Sequence, residues 1–327
     1  MLLLSREDVQ SLLTMKDAID AVEEAFRQFA LGNVKMPAKS TISVEQNNGV
    51  IWAMPAYIAG DINALGQKVV TTYPENPTRH NLPTTLATVE LLDHETGECL
   101  AIMDGTFLTA IRTGAVGGVA AKHLARANST RVAVFGAGVQ AQTQLEALAE
   151  VRKIEAAKVF DNVTGRAGQY CERMSKKLKI NVKEGEDPKD TLHGSDIVIC
   201  ASTSRVPVFS GEWLELGMHV NGVGSCTPET RELDTVSVRR SKVIVDSRDE
   251  VLNEAGDLII PIAEKAISLE HIWGELGQVI IGKKKGRTSE QEITLFKSVG
   301  LAIQDVSTAS VVYRKALEQN RGTNVRI

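Results

Sequence analysis

The 327-residue chain is poor in cysteine and histidine, with four of one and six of the other. Cys99, Cys171, Cys200 and Cys226 lie far apart and form no C-x-x-C pair. Neither they nor the dispersed histidines show a zinc-ligand spacing, so no metal site is expected. Cys99, Cys171 and Cys200 read as reduced, mostly buried thiols rather than disulfide halves. An excess of one charge is lacking too: 37 Lys and Arg against 41 Asp and Glu leave a formal net charge of −4. The basic residues are scattered, which argues against nucleic acid or a polybasic membrane patch as a partner. No apolar run reaches the length of a membrane span. The opening Met-Leu-Leu-Leu turns polar at Ser5-Arg6-Glu7-Asp8, too soon for a signal peptide. A cytoplasmic location is the expectation. Hydrophobic content of 43% and charged content of 24% are ordinary for a globular protein, and the length suits two domains.

What is present is a glycine turn. Residues 131–141 read Arg-Val-Ala-Val-Phe-Gly-Ala-Gly-Val-Gln-Ala. Val132 to Phe135 make a buried strand, and a helical stretch follows. Gly136-x-Gly138-x-x-Ala141 fits the dinucleotide-binding fingerprint in its G-x-G-x-x-A form. Gly136 permits the tight turn, Gly138 admits a pyrophosphate, and Ala141 lets the helix approach the strand. Val139 and Gln140 open the helix, whose free N–H groups and positive dipole end suit phosphates. The alternative is a bland structural turn between strand and helix.

The rest of the chain divides by rhythm. Ser5-x-x-Asp8 and Thr14-x-x-Asp17 are helix-capping patterns. The second opens an amphipathic helix with Ile19, Val22, Ala25, Phe26 and Phe29 on one face, stopped by Gly32-Asn33. Strands are expected at 39–44, 50–54, 66–72, 85–92 and 99–103, separated by Asn, Pro and Gly turns. These form a mostly antiparallel sheet. A helix rich in small residues follows at 109–125, its glycines implying close packing or a nearby ligand. From 131 strands (131–135, 157–161, 180–183, 196–201, 218–223, 242–246) alternate with helices (139–152, 165–178, 187–193, 227–236). That rhythm predicts a parallel sheet with helices on both faces. A last helix, from about Ser298 to Glu318, is expected to pack back on the first domain. The fold class is therefore α/β: a Rossmann doubly wound parallel sheet plus an α+β substrate-binding and dimerisation domain. The expected division is 1–120 with 300–327 for the latter and 121–299 for the former.

In such a fold an acidic residue ending the second strand holds the adenosine ribose. Asp161 stands there; the alternative is an Asp opening a turn. A carboxylate repels a 2′-phosphate, which favours NAD(H), while Asn162 and Arg166 keep NADP(H) open. Ser202 and Thr203 end the fourth strand, and Val223 and Gly224 the fifth, where the nicotinamide half is expected.

Several blocks in order resemble the ornithine cyclodeaminase/mu-crystallin family. They are Met54-Pro55-Ala56-Tyr57, Gly66-x-Lys68-x-Val70, Met103-Asp104-Gly105, Thr109-Ala110-x-Arg112-Thr113, the Gly136 turn, Glu232-Leu233-Asp234, Glu275-Leu276-Gly277-x-Val279 and Phe296-Lys297-Ser298-x-Gly300. The resemblance implies nicotinamide chemistry at the Cα of an amino acid or its imine, and a homodimer built through the non-Rossmann domain. It makes Lys68 the active-site lysine and Arg112 the carboxylate-gripping arginine. An arginine fork suits a carboxylate, and an ammonium can exchange a proton with an imine nitrogen. Lys39 falls where cyclodeaminases carry a second carboxylate-binding arginine. Trp52 replaces a charged contact of some relatives and implies a more apolar pocket. Thr84 or Thr85 is a further candidate for a ligand or cofactor contact, as are Thr113 and Ser298. Each also has a plain reading as a surface or strand residue.

One departure from the family bears on the substrate. Cyclodeaminases and the alanine dehydrogenase branch carry an aspartate after the fifth strand, where this chain has Cys226 in Gly224-Ser225-Cys226-Thr227-Pro228. A thiol is a poor base toward a side-chain amine, with a pKa of about 8.5 against about 4 for a carboxylate. Reduction of a preformed cyclic imine needs no such base. The expected activity is NAD(P)H-dependent reduction of Δ1-pyrroline-2-carboxylate or Δ1-piperideine-2-carboxylate to L-proline or L-pipecolate. Ornithine cyclodeamination, oxidative deamination of alanine and non-catalytic nicotinamide binding are the alternatives.

Overall fold

The computed structural model describes residues 1–326 and divides into two compact units. The first comprises residues 1–112 and the chain from Leu301 onward; the second comprises Thr113–Gly300.

The first unit begins with β1 (Leu2–Leu4), α1 (Arg6–Leu12) and α2 (Met15–Ala30). Both helices start in capping boxes, Ser5 with Asp8 and Thr14 with Asp17, each residue satisfying the other's backbone N–H. The buried face of α2 carries Ala18, Ile19, Val22, Ala25 and Phe26. Phe29 is only half-buried, and Gln28 takes the interior place beside it, its Oε1 accepting from Asn33. Strands β2 (Val34–Lys35), β3 (Ser40–Val44), β4 (Gly49–Ile58) and β5 (Ala64–Thr72) follow. Then come the single turn α3 (Asn76–Arg79), β6 (Thr85–Leu92), β7 (Cys99–Asp104) and α4 (Gly105–Leu124). The chain passes from the first unit to the second within α4, at Arg112.

The second unit alternates β8 (Arg131–Phe135), α5 (Val139–Val151), β9 (Ala156–Phe160), α6 (Arg166–Leu178), β10 (Asn181–Glu184), α7 (Pro188–Leu192), β11 (Ile197–Cys200) and β12 (His219–Gly222). It closes with α8 (Thr235–Arg240), β13 (Lys242–Val245), α9 (Arg248–Glu254), α10 (Gly256–Ala263), β14 (Ile272–Glu275), α11 (Leu276–Ile280) and β15 (Thr294–Lys297). The sheet order is β10-β9-β8-β11-β12-β15-β13-β14, and every pairing is parallel. Side chains of β8 alternate between two cores. Val132 and Val134 pack with Leu145, Tyr170 and Met174 on one face; Ala133 and Phe135 pack with Val220, Leu233 and Leu258 on the other. This is the doubly wound arrangement. The glycines of α4 serve close helix packing: a Cβ on Gly114 or Gly117 would collide with Thr143 or Gln144 of α5.

The chain returns to the first unit as α12 (Ala302–Glu318) and β16 (Thr323–Asn324). Its sheet has the order β16-β1-β7-β6-β5-β4-β2, with β3 on β4, and only the β1–β7 pairing is parallel. α12 packs on α2, β4 and β5.

Three readings of the sequence need correction. No helix spans 227–236: the N–H groups of Glu232 and Leu233 are taken by the Asp257 carboxylate, and α8 starts only after its Asp234 cap. The final helix begins at Ala302 rather than Ser298. The Ser298 hydroxyl and the Val299 and Gly300 amides all donate to Asp246 Oδ2, at 2.7, 2.8 and 2.9 Å. β14 and β15 were missed, and β15 lies between β12 and β13. Four residues, all buried in the case of β15, show no periodicity to recognise. Of the three thiols read as mostly buried, Cys171 and Cys200 are buried and Cys99 is half-buried; all four cysteines are free. Among the described residues no helix is long and apolar enough to cross a membrane, and no cluster could hold a metal ion.

Asp246 also accepts from the Ser247 N–H. Asp246→Ala would strand three buried donors at the end of β15. It should lower unfolding free energy by about 3 kcal/mol in urea titrations, the scale of buried bonds to a charged acceptor.

Candidate active site

Antiparallel pairing sets Met54 opposite Lys68, and Lys68 opposite Val89. All three are buried, so this is the interior face of the sheet, and Trp52 shares it. Lys68 is 1% exposed. Its Nζ lies 2.9 Å from Asp305 Oδ1 and 2.8 Å from Oδ2, on α12. The Arg112 Nε donates to the same Oδ1 at 2.9 Å, and its Nη1 donates to Gln304 Oε1. Two cations thus share one buried carboxylate. When Lys68 is protonated, the cluster holds one surplus positive charge, which suits it to an anionic ligand. Burial pushes the Lys68 ammonium down to about 7, and the Arg112 and Lys39 charges push the same way. Asp305 opposes them. An amine poised near neutrality can both give and take a proton. Lys39 itself is half-exposed.

In the second unit a cavity of about 420 Å³ opens at the carboxyl ends of β8, β9 and β11. Gly136, Gly138, Asp161, Asn162, Arg166, Ser202 and Thr203 line it. Gly136 has φ +96°, and a Cβ there would meet the Ala201 carbonyl at 2.6 Å. Nothing lies within 4 Å of a Cβ built on Gly138, which caps α5 with no side-chain bond. Val139, the first residue of α5, is 61% exposed. Ala141 is fully buried against the sheet core, and its carbonyl accepts from Tyr170. Gln140 is half-buried in the first turn of α5. Asp161 accepts from the Ala137 N–H at 2.8 Å and the Val163 N–H at 2.8 Å, one to each oxygen. It ties the glycine turn to the end of β9 and keeps lone pairs for further donors. These features fit a dinucleotide: a glycine cradle, a bare helix N-terminus and a fixed carboxylate.

Other residues singled out from sequence lie elsewhere or are already engaged. The Ser298 hydroxyl is committed to Asp246. The Thr113 carbonyl accepts from Gln144, and the half-buried Thr84 gives its carbonyl to Tyr73. Val223 is buried, and the Gly224 N–H donates to Glu232. Cys226 is exposed in the loop after β12. Sequence reasoning missed Gln304 and Asp305, and read Glu232 and Lys297 only as family markers. The available signal was a charged or amide group inside an apolar run, as at Ile303-Gln304-Asp305-Val306.

The model of the ornithine cyclodeaminase/mu-crystallin family matches residues 1–320. The chain belongs to this family. Among its members, the alanine dehydrogenase of Archaeoglobus fulgidus is 40% identical over 99% of this chain and 98% of its own. The solved Δ1-pyrroline-2-carboxylate reductase of Thermococcus litoralis, in complex with NADH and L-proline, is 51% identical with a TM-score of 0.97. That match covers 99% of this chain and 100% of the reductase. An archaeal alanine dehydrogenase dimer with bound NAD is 39% identical with a TM-score of 0.94, over 100% of this chain and 99% of the other.

The pair at the heart of the first unit can be tested without any ligand. A ¹⁵N NMR titration of the Lys68 amine should show a midpoint near 7. In Asp305→Asn the midpoint should fall, because the charge favouring the ammonium is gone.

Proposed function

We propose that the chain reduces a cyclic imine carboxylate, Δ1-pyrroline-2-carboxylate or its six-membered homologue, to L-proline or L-pipecolate with NADH. The observation that carries this reading is the buried Lys68–Arg112–Asp305 cluster. It joins an anion-receptive charge surplus to an amine able to move a proton near pH 7. The similarity to a reductase holding NADH and L-proline supports the choice of substrate. So does the lack of a carboxylate in Gly224–Pro228, where cyclodeaminases and alanine dehydrogenases carry one.

In this reading the first unit is the substrate-binding domain and the second the dinucleotide domain. Gly136, Gly138 and Ala141 with the N-terminus of α5 would hold the pyrophosphate, and Asp161 the ribose. The Asp161 carboxylate, fixed by two N–H groups, would repel a 2′-phosphate and so favours NAD(H). When bound, the nicotinamide supplies the hydride that the imine carbon receives. Arg112 grips the substrate carboxylate, with Lys39 adding positive charge. Lys68 gives its proton to the imine nitrogen as the C=N bond becomes C–N, and neutral Lys68 serves as the base in the reverse direction. Asp305 keeps both cations oriented, and Trp52 on the same sheet face fits an apolar ring. A homodimer through the first unit is part of the proposal. It is supported by half-buried Ile51, Ala53, Pro55, Tyr57, Leu65 and Val69 on the opposite face of the sheet, and by the dimeric archaeal relative. The free thiols support a cytoplasmic location.

Purified protein should oxidise NADH when given Δ1-pyrroline-2-carboxylate. NADH formation from L-alanine and NAD, with no imine reduction, would replace this reading with that of the 40% identical relative. Proline and ammonia from L-ornithine without net NADH change would make the protein a cyclodeaminase. Lys68→Ala should cut kcat by about 10²–10⁴ and leave NADH affinity intact. Because reduction uses the ammonium, the wild-type rate assigned to Lys68 should fall as pH rises through about 7. Proline oxidation should rise over the same interval.

A further inference from the structure

We infer that Glu232 is a positioning residue for the dinucleotide site, holding the loops after β11 and β12 in the shape that binds NADH. The inference rests on the reductase reading for the identity of its ligand.

Both oxygens of Glu232 are filled from those two loops. Oε1 accepts from the Ser202 N–H at 2.6 Å and the Ser202 hydroxyl at 2.7 Å. Oε2 accepts from the Gly224 N–H at 2.8 Å and the Ser225 N–H at 3.2 Å. One side chain thus ties the end of the fourth strand to the end of the fifth. The tie is tight, since a Cβ on Gly224 would collide with the Ser202 carbonyl and with Glu232 itself.

Glu232 is held in turn from behind. Its own N–H and that of Leu233 donate to Asp257 Oδ1 at 2.7 and 2.9 Å. Lys297 lies 2.8 Å from Asp257 Oδ2 and donates to the Ser225 carbonyl at 2.6 Å. Glu232, Asp257 and Lys297 are all fully buried. The effect is to fix Ser202, which lines the dinucleotide cavity, and Gly224 relative to each other.

Four donors converging on two oxygens require an acceptor-only group. A carboxylic acid or an amide carries hydrogen on one of the two atoms; the Ser202 hydroxyl can reverse to accept it, but the backbone N–H groups cannot, so at least one N–H bond of the tie is weakened or lost. The charged and titratable groups around Glu232 are Asp257, Lys297 and the buried Cys200, with Cys226 acting on Lys297. Burial, followed by the Asp257 charge, raises Glu232 to about 7, while Lys297 and the Ser202 bonds oppose the shift. The clamp therefore closes as pH rises through neutrality.

The test is NADH binding to the full chain, followed by NADH fluorescence between pH 6 and 8.5. No imine is present, so proton transfer by Lys68 plays no part. Wild-type affinity should tighten about tenfold from pH 6 to 8, the scale of one buried charged hydrogen bond. Glu232→Gln should bind about tenfold more weakly than wild type at pH 8 and lose the pH dependence. Melting temperature is measured alongside. A lower melting temperature with wild-type affinity at pH 8 would mean a structural role alone and overturn the inference. If Glu232→Gln does not fold, Glu232→Asp decides the matter: a carboxylate one methylene shorter does not reach both loops, and wild-type affinity at pH 8 in that variant would overturn the inference. Wild-type protein that binds no NADH at any pH would instead sink the reductase reading, and the inference with it.

Discussion

A charge removed from water must be matched inside the protein, and Asp305 is where the first unit meets that constraint. Lys68 sits in the middle of a β-strand on its buried face, and Arg112 is 6% exposed on a helix. Neither position tolerates an unpaired cation, since isolated burial costs several kcal/mol. One carboxylate from α12 serves both, so the last helix must come home to the first unit. A helix from the far end of the chain covers β4 and β5 because it brings the counter-charge as well as Ile303, Val306 and Ala309 for the core. The pairing is also incomplete in charge: two cations on one anion leave a positive surplus, which the proposed substrate carboxylate would meet.

The second unit meets the same constraint at its loops. Parallel strands deliver their ends to one edge of the sheet, and loops there carry backbone N–H groups that no ladder satisfies. Carboxylates satisfy them instead. Asp161 holds the glycine turn, Glu232 the loops after β11 and β12, Asp257 the chain entering α8, and Asp246 the chain leaving β15. Each accepts several donors, which keeps a loop in one conformation without a regular element around it.

What could be read from the sequence was local. The glycine turn, the capping boxes at Ser5 and Thr14, and the strand ends near 135, 160 and 200 all depend on neighbours within a few residues, and all are in place. Lys68 and Arg112 were legible through ordered family blocks rather than through any physics of their surroundings. What was not legible depends on partners far along the chain. The false helix at 227–236 fails because Asp257 intercepts its N–H groups. β15 escapes notice because a four-residue strand ending in Lys297 resembles a loop until Asp257 neutralises the lysine. Asp305 looked like one more helix residue; only contact with Lys68 and Arg112, 237 and 193 positions earlier, makes it the counter-ion.

Burial acts on both units with one rule and opposite results. Desolvation disfavours whichever form is charged, so it lowers a lysine and raises a glutamate. Lys68 and Glu232 are both brought to about 7 from opposite sides. Below neutrality Lys68 is a full proton donor, but Glu232 is protonated and its loops slacken. Above neutrality Glu232 is ionised and holds its loops, but Lys68 has lost the proton that the proposed reduction needs. On the proposed reading, imine reduction at limiting NADH should have a narrow optimum near pH 7, set by one buried group in each unit. Saturating NADH overcomes the weaker binding on the acid side and leaves only the loss of the lysine proton. A chain with an ordinary exposed lysine and glutamate would show neither limb near neutrality, so the optimum is a property of burial rather than of residue type.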